Sequence, residues 1–270
     1  MKLKTLIQVG VVAAVSVVAV SACGSASDVS DSGGSSGGSA VGASLTKTNF
    51  AQKMTEAQSG NKSFHLQGNI DMSGQSVTLS GDMSAVGGSL KDLQADMTMG
   101  MGDKGSAELR FVDGVMYLNA GDLGMSQDTS KPWMKIDMTD SSNPLGAMYS
   151  KVMSQMDPSK MTKAFKSITT LDKVGSEEVD GVDTTHYKVS VDTDKAMQAM
   201  GLDNLGAGNS QGLESMPKTM KYDVWVNGDA LPVRIQTEMG GSTVDLHFSD
   251  WGQSVSVDAP PADQVSEFSF

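Results

Sequence analysis

The chain holds one cysteine, Cys23, and three histidines, and its aromatic residues are few: seven Phe, four Tyr and three Trp in 270 positions. A lone cysteine excludes an internal disulfide. No H-x-x-x-H or C-x-x-C spacing occurs, so no metal centre is expected. Basic residues are in deficit, 20 Lys+Arg against 32 Asp+Glu, for a net charge of −12. So acidic a chain is a poor candidate for binding nucleic acid or for lying flat on anionic lipid. An uninterrupted apolar run of about 20 residues, the length a transmembrane helix needs, is also missing. The longest apolar stretch, LIQVGVVAAVSVVAV at 6–20, is broken by Gln8, Gly10 and Ser16.

What surrounds that stretch is informative. Lys2 and Lys4 precede it and the small residues Ser21 and Ala22 follow, which is the layout of a secretory signal. The order Val20-Ser21-Ala22-Cys23 resembles a bacterial lipobox. In lipoproteins of that kind the cysteine sulfur receives diacylglycerol, with palmitate-type chains, and cleavage leaves the cysteine as the new N-terminus. A thiolate is a competent nucleophile for that alkylation. Residues 1–22 therefore read as a lipoprotein signal peptide and Cys23 as a lipid anchor; the alternative is an ordinary secretory signal followed by a free thiol. Two acyl chains hold a protein stably on a membrane, where one is marginal. Residues 23–44 are mostly Gly, Ser and Ala and form a flexible tether with a reach of roughly 25 Å. Loss of residues 1–22 removes two lysines and no acid, so the mature charge falls from −12 to −14. The expected location is the extracytoplasmic face of the cell membrane, lipid-anchored.

Residues 45–270 suffice for one sizeable core. Residues 45–58 have helical spacing through Leu45, Phe50 and Met54. After Gly60 the period changes to two. Phe64, Leu66, Ile70 and Met72 alternate with polar residues, as do Val77, Leu79 and Met83, then Leu93 through Met101, then Leu109 and Phe111. Asp113-Gly114 predicts a tight hairpin pairing Phe111 with Met116 and Leu109 with Leu118. Asp180-Gly181, Asn227-Gly228 and Gly240-Gly241 are further turn signals. Helices are expected at 144–156, from Asp157-Pro158 through Ile168, and near 194–202, with strands at about 171–191, 219–227, 231–239 and 242–249. Pro260-Pro261 is expected to end the last strand. The sum is an α+β fold: a single strongly curved antiparallel sheet, a half-barrel, with helices packed on its concave face.

Motif matches to enzymes fail on context. Gly100–Gly105 fits G-x-G-x-x-G but is followed by the strand-like ELRFV rather than a helix. Gly33–Gly37 fits G-x-S-x-G but lies in the tether. His65, His186 and His247 stand singly on the polar side of alternating strands. Asp192 and Asp194 read as helix caps, and Glu177, Glu178 and Asp180 as a solvated face. No catalytic activity and no cofactor are expected. Trp133, Trp225 and Trp251 fit either the core or a rim with the indole N–H toward polar groups.

Three segments, THYKVSVDT (185–193), YDVWVNGDALPVRIQTEM (222–239) and FSDWGQSVSVDAPPADQV (248–265), together with the lipobox, resemble the actinobacterial LppX/LprAFG lipoproteins, related in fold to the LolA/LolB lipoprotein carriers. The resemblance implies a half-barrel closed by helices, with a hydrophobic cavity for the acyl chains of a lipid or glycolipid carried or presented in the cell envelope. A membrane transporter is a further partner class consistent with that role. Candidate cavity residues from the strand pattern are Met72, Leu79, Met83, Leu93, Met97, Met99, Met101, Phe111 and Met116; packing against a helix is the competing reading for each. The alternative function is a structural or regulatory envelope lipoprotein that binds a protein partner and has a filled core.

Overall fold

The computed structural model describes residues 45–72, 75–85, 89–124, 130–140, 142, 167–200 and 217–267. Twelve strands form one sheet: β1 Ser63–Met72, β2 Gln75–Ala85, β3 Leu93–Gly100, β4 Ser106–Val112, β5 Val115–Asn119, β6 Trp133–Asp137, β7 Ile168–Val179, β8 Val182–Asp192, β9 Thr219–Val226, β10 Pro232–Met239, β11 Ser242–Ser249 and β12 Val265–Glu267. Their spatial order is β12-β6-β5-β4-β3-β2-β1-β11-β10-β9-β8-β7. Two meanders, β1 to β6 and β7 to β11, therefore meet at the β1–β11 pair, where Leu66 faces Phe248 and Ile70 faces Val244. Every neighbouring pair is antiparallel except β12 with β6. A sheet this wide twists and coils rather than staying flat.

Short turns fix the register. Asp113-Gly114 closes β4 onto β5, pairing Phe111 with Met116 and Leu109 with Leu118. Asp113 and Gly114 both take positive φ, as this turn type requires. Asp180-Gly181 and Gly240-Gly241 do the same for β7–β8 and β10–β11. Asn227-Gly228 behaves differently. It opens a longer loop in which Ala230, not Gly228, is left-handed, and the Asn227 carboxamide oxygen accepts from the Asp229 and Leu231 amides at 3.0 and 2.9 Å. The G-x-G-x-x-G match is a 3-10 turn at Gly102–Lys104 joining β3 to β4.

The described residues are sheet-dominated, which revises the α+β expectation. Helix α1 spans Phe50–Gly60 rather than 45–58, and α2 spans Thr193–Met200. Phe50 and Met54 of α1 are buried with Leu66, Tyr187, Val189, Val224, Ile235 and Phe248, so α1 packs on the apolar side of the sheet. Phe50 and Tyr187 meet edge to face at 5.7 Å. Residues 144–156 and most of the expected helix after Pro158 lie outside the described residues. Ile168, placed in that helix by spacing, is instead the first residue of β7, buried and paired with Val191. Asp192 caps α2 as expected, accepting from the Lys195 amide at 3.1 Å.

Pro260-Pro261 does not end the last long strand. That strand, β11, stops at Ser249, and the chain then crosses the end of the sheet as an extended strap. Gly252 donates its amide to the Ser63 carbonyl, the Ser63 hydroxyl donates to the Gln253 carbonyl, and the Val257 amide donates to Gln94 Oε1 at 3.2 Å. The two prolines lie in this strap, where φ near −65° and a missing N–H suit a chain with no ladder partner. β12 follows, the Ser266 hydroxyl donating to the Trp133 carbonyl. No helix among the described residues is long and apolar enough to cross a membrane.

Candidate functional site

Alternation along the strands gives the sheet two unlike faces. On one, register aligns Leu66, Gly81 and Met97 in one row and Gly68, Leu79 and Met99 in the next. Further out, Met97 faces Leu109, Phe111 faces Met116, and Leu118 faces Met134. Toward β7 the same face carries Leu246, Ile235, Val224 and Tyr187. All nine residues expected to line a cavity fall on these strands or at their ends. Met101 is the exception in regularity, standing one residue beyond β3 at the entrance to the 3-10 turn.

The apolar face is closed in two places by the protein's own atoms. One cluster lies under α1. The second joins Ala95, Phe111, Ile136 and Met138, with Met83, Leu93, Met97 and Met116 packed against it. Five of the nine candidates (Phe111, Met83, Leu93, Met97 and Met116) thus contribute to a packed core. Met97 touches both clusters. Met72, Met99 and Met101 are half-buried and belong to neither, while Leu79 is buried between them. The candidates therefore divide into a packed group and a group left on the sheet surface.

Gly68 and Gly81 lower the floor here. A Cβ on Gly68 would stand 2.7 Å from Leu246 Cδ2, and one on Gly81 would stand 2.0 Å from the Asp96 carbonyl oxygen and 2.8 Å from Met97 Sδ. Neighbouring side chains lie over the bare backbone instead. Beyond them, Tyr222 on β9 donates its hydroxyl to Met220 Sδ at 3.5 Å. Tyr222 is half-buried, yet its apolar surroundings push the phenol up from the ordinary value near 10 to about 12. A raised phenol pKa gives stability that is complete below pH 10 and is lost as pH climbs from 10 to 12, because only the unfolded chain ionises in that window. The expected loss is about 2 kcal/mol. Tyrosinate absorbance should show a late-titrating phase near pH 12 that Tyr222→Phe removes.

The opposite face is polar, and it joins residues of neighbouring strands into a network. Trp225 on β9 lies between His186 of β8, stacked at 4.3 Å, and Arg234 of β10, whose guanidinium carbon is 4.7 Å from the ring centre. Its indole N–H donates to Glu177 at 2.5 Å. Arg234 forms a two-pronged pair with Asp245 at 2.8 and 2.6 Å, and that hydrogen bonding raises the guanidinium pKa further. His186 Nε2 is 2.6 Å from Asp223, and His247 Nδ1 is 2.5 Å from Asp180. Glu177 reaches over β8 to β9, and Asp180 reaches from the β7–β8 turn to β11, so the hairpin tip leans across this face. The three histidines do lie on the polar side, but each has a carboxylate partner, His65 with Asp82. Trp133 lies on this side too, under the Arg110 guanidinium at 4.9 Å, whereas Trp251 packs with Phe64 at 4.9 Å. Among the described residues no group of three or more His, Cys, Asp or Glu could hold a metal ion. A depression of about 330 Å³ opens over β1 on the polar face, lined by Gln67, Asn69, Ser80, Asp245 and His247 among others. Its hydrogen-bonding walls do not suit an alkyl chain.

No protein-family model matches the chain. It is 27% identical over 177 residues to an uncharacterized 31.2 kDa protein of Streptomyces griseus, covering 62% of this chain and 58% of that one. It is 25% identical over 168 residues to a candidate lipoprotein of Streptomyces coelicolor, covering 60% and 51%. The matches thus span little more than half the length of these relatives. Among solved structures, LppX of Mycobacterium tuberculosis superposes with a TM-score of 0.52 at 16% identity, over 78% of this chain and 98% of that one. LprF from Mycobacterium bovis gives 0.52 at 15% identity, over 79% and 96%. In fold, the chain is LppX/LprF-like.

Proposed function

We propose that the protein is a lipid-anchored envelope protein that binds the acyl chains of a lipid or glycolipid on the apolar side of its sheet, for transport or presentation outside the cytoplasmic membrane. It acts by binding and not by catalysis. Cys23 carries the anchor and residues 24–44 the tether. The curved sheet and the helices on it form a half-barrel, LolA-like in arrangement, whose interior is the apolar side. The observation that carries the reading is the open group on that side: Met72, Met99 and Met101 stand half-buried and outside both packed clusters. Each CH₂ removed from water contributes about 0.8 kcal/mol, so even a partly covered chain would be held.

The test is native mass spectrometry of the full chain released from detergent micelles. Co-purified adducts of lipid mass are expected. The double variant Met72→Glu/Met99→Glu puts two carboxylates where alkyl carbon would lie, and should lower adduct occupancy about tenfold or more, since unpaired charge is excluded from an apolar contact. The fold should survive because neither residue belongs to a packed cluster. Wild-type chain without adducts would favour the filled-core reading with a protein partner; a variant loaded like wild type would show that the acyl chain does not lie over Met72 and Met99.

A further inference from the structure

Every methionine in the described strands lies on the apolar side: two on β3 and one on each of β1, β2, β5, β6, β9 and β10. All of them are half-buried. Other apolar residues of the same side divide: Leu66, Ile70, Phe111, Ile136 and Leu246 are buried, whereas Val77, Leu109, Leu118 and Val244 are half-buried like the methionines. The buried methionines, Met54 and Met138, lie outside the strands, in α1 and in the turn after β6. Leucine fills similar volume with similar hydrophobicity, and Leu109 and Leu118 take equivalent half-buried places on this side, so packing alone does not require methionine there. Methionine differs in its flexible, polarizable thioether, which is open to two-electron oxidants.

We infer that the strand methionines are sites of reversible sulfoxidation by peroxide-type oxidants, and that their oxidation releases the apolar ligand. The release rests on the acyl-binding reading; the modification sites do not. In each event the thioether sulfur attacks one peroxide oxygen and the O–O bond breaks. That oxygen becomes S=O, and the other leaves as water with the two protons of the peroxide. Sulfur is oxidised by two electrons and hydrogen peroxide is reduced by two. At three of these sites the product is a strong hydrogen-bond acceptor opposite side chains that donate nothing: Met99 faces Leu79, Met97 faces Leu109, and Met134 faces Leu118. A ligand chain lying over a sulfoxide would bury that acceptor unpaired.

The experiment treats the full chain in micelles with graded hydrogen peroxide. Peptide mapping locates each gain of about 16 Da, and native mass spectrometry reads lipid adducts. Strand methionines, Met99 and Met134 among them, are expected to oxidise about fivefold or more faster than Met54 and Met138, following exposure. Adducts should fall about tenfold or more as the strand set is oxidised, and the chain should reload after methionine sulfoxide reductase with dithiol. Measured against its own occupancy before peroxide, the variant Met72→Leu/Met97→Leu/Met99→Leu/Met134→Leu should lose less than about a third of its adducts at the dose that strips wild type. Equal rates at strand and buried methionines would overturn the sites. Adducts that persist on a fully oxidised strand set, or a Leu variant that loses them as readily, would overturn the release. A chain with no adducts before peroxide would overturn the acyl-binding reading, and with it the release, while the order of oxidation would still decide the sites.

Discussion

Gly81→Ala is expected to destabilise the domain by about 3 kcal/mol, the upper end of overpacking costs, and to lower Tm by roughly 10 °C. The added Cβ would stand 2.0 Å from the Asp96 carbonyl oxygen and 2.7 Å from Met97 Cα, so backbone and not a flexible side-chain tip obstructs it. β2 and β3 must separate or shift to admit it, and β3 carries Met97, which packs against both core clusters. Gly228→Ala serves as the control. Nothing lies within 4 Å of its added Cβ, and the change should stay within about 0.5 kcal/mol. Denaturant melts of the two variants measure the contrast; a Gly81→Ala midpoint equal to the control would refute the close approach of β2 and β3.

Cys23→Ala is expected to abolish anchoring completely. Without the sulfur there is no atom to alkylate, so metabolic labelling with radioactive palmitate should fall to background, and the chain should keep the mass of an uncleaved precursor. Two acyl chains hold a protein on a bilayer stably where one is marginal. A variant that still takes up label would show that Cys23 is not the anchor, and one cleaved normally would show an ordinary secretory signal.

The parts of the fold set by local rules were readable from residue order. Alternation at Phe64–Met72 and the Asp113-Gly114 turn fixed strands, faces and pairings, because each depends on residues close in sequence. The loop at Asn227 escaped because its geometry is decided by side-chain hydrogen bonds that leave Ala230 left-handed. The Trp225 network escaped for another reason: Glu177, His186, Trp225, Arg234 and Asp245 sit on five successive strands, β7 to β11, and their contacts run across the sheet, where alternation within a single strand does not reach. The candidate cavity was legible as a face but not as a space. Period two identifies Met83 and Met99 as sharing a side; it does not say that Met83 is packed against Phe111's cluster while Met99 is outside it.

The junction of β1 with β11 has a consequence for biogenesis. Leu66 cannot meet Phe248 until every residue between them has been made, so a growing chain holds two unfinished half-sheets with exposed greasy flanks. Closing so long a loop is slow, and any product truncated before Ser242 forfeits the central seam and should be cleared by proteases instead of accumulating.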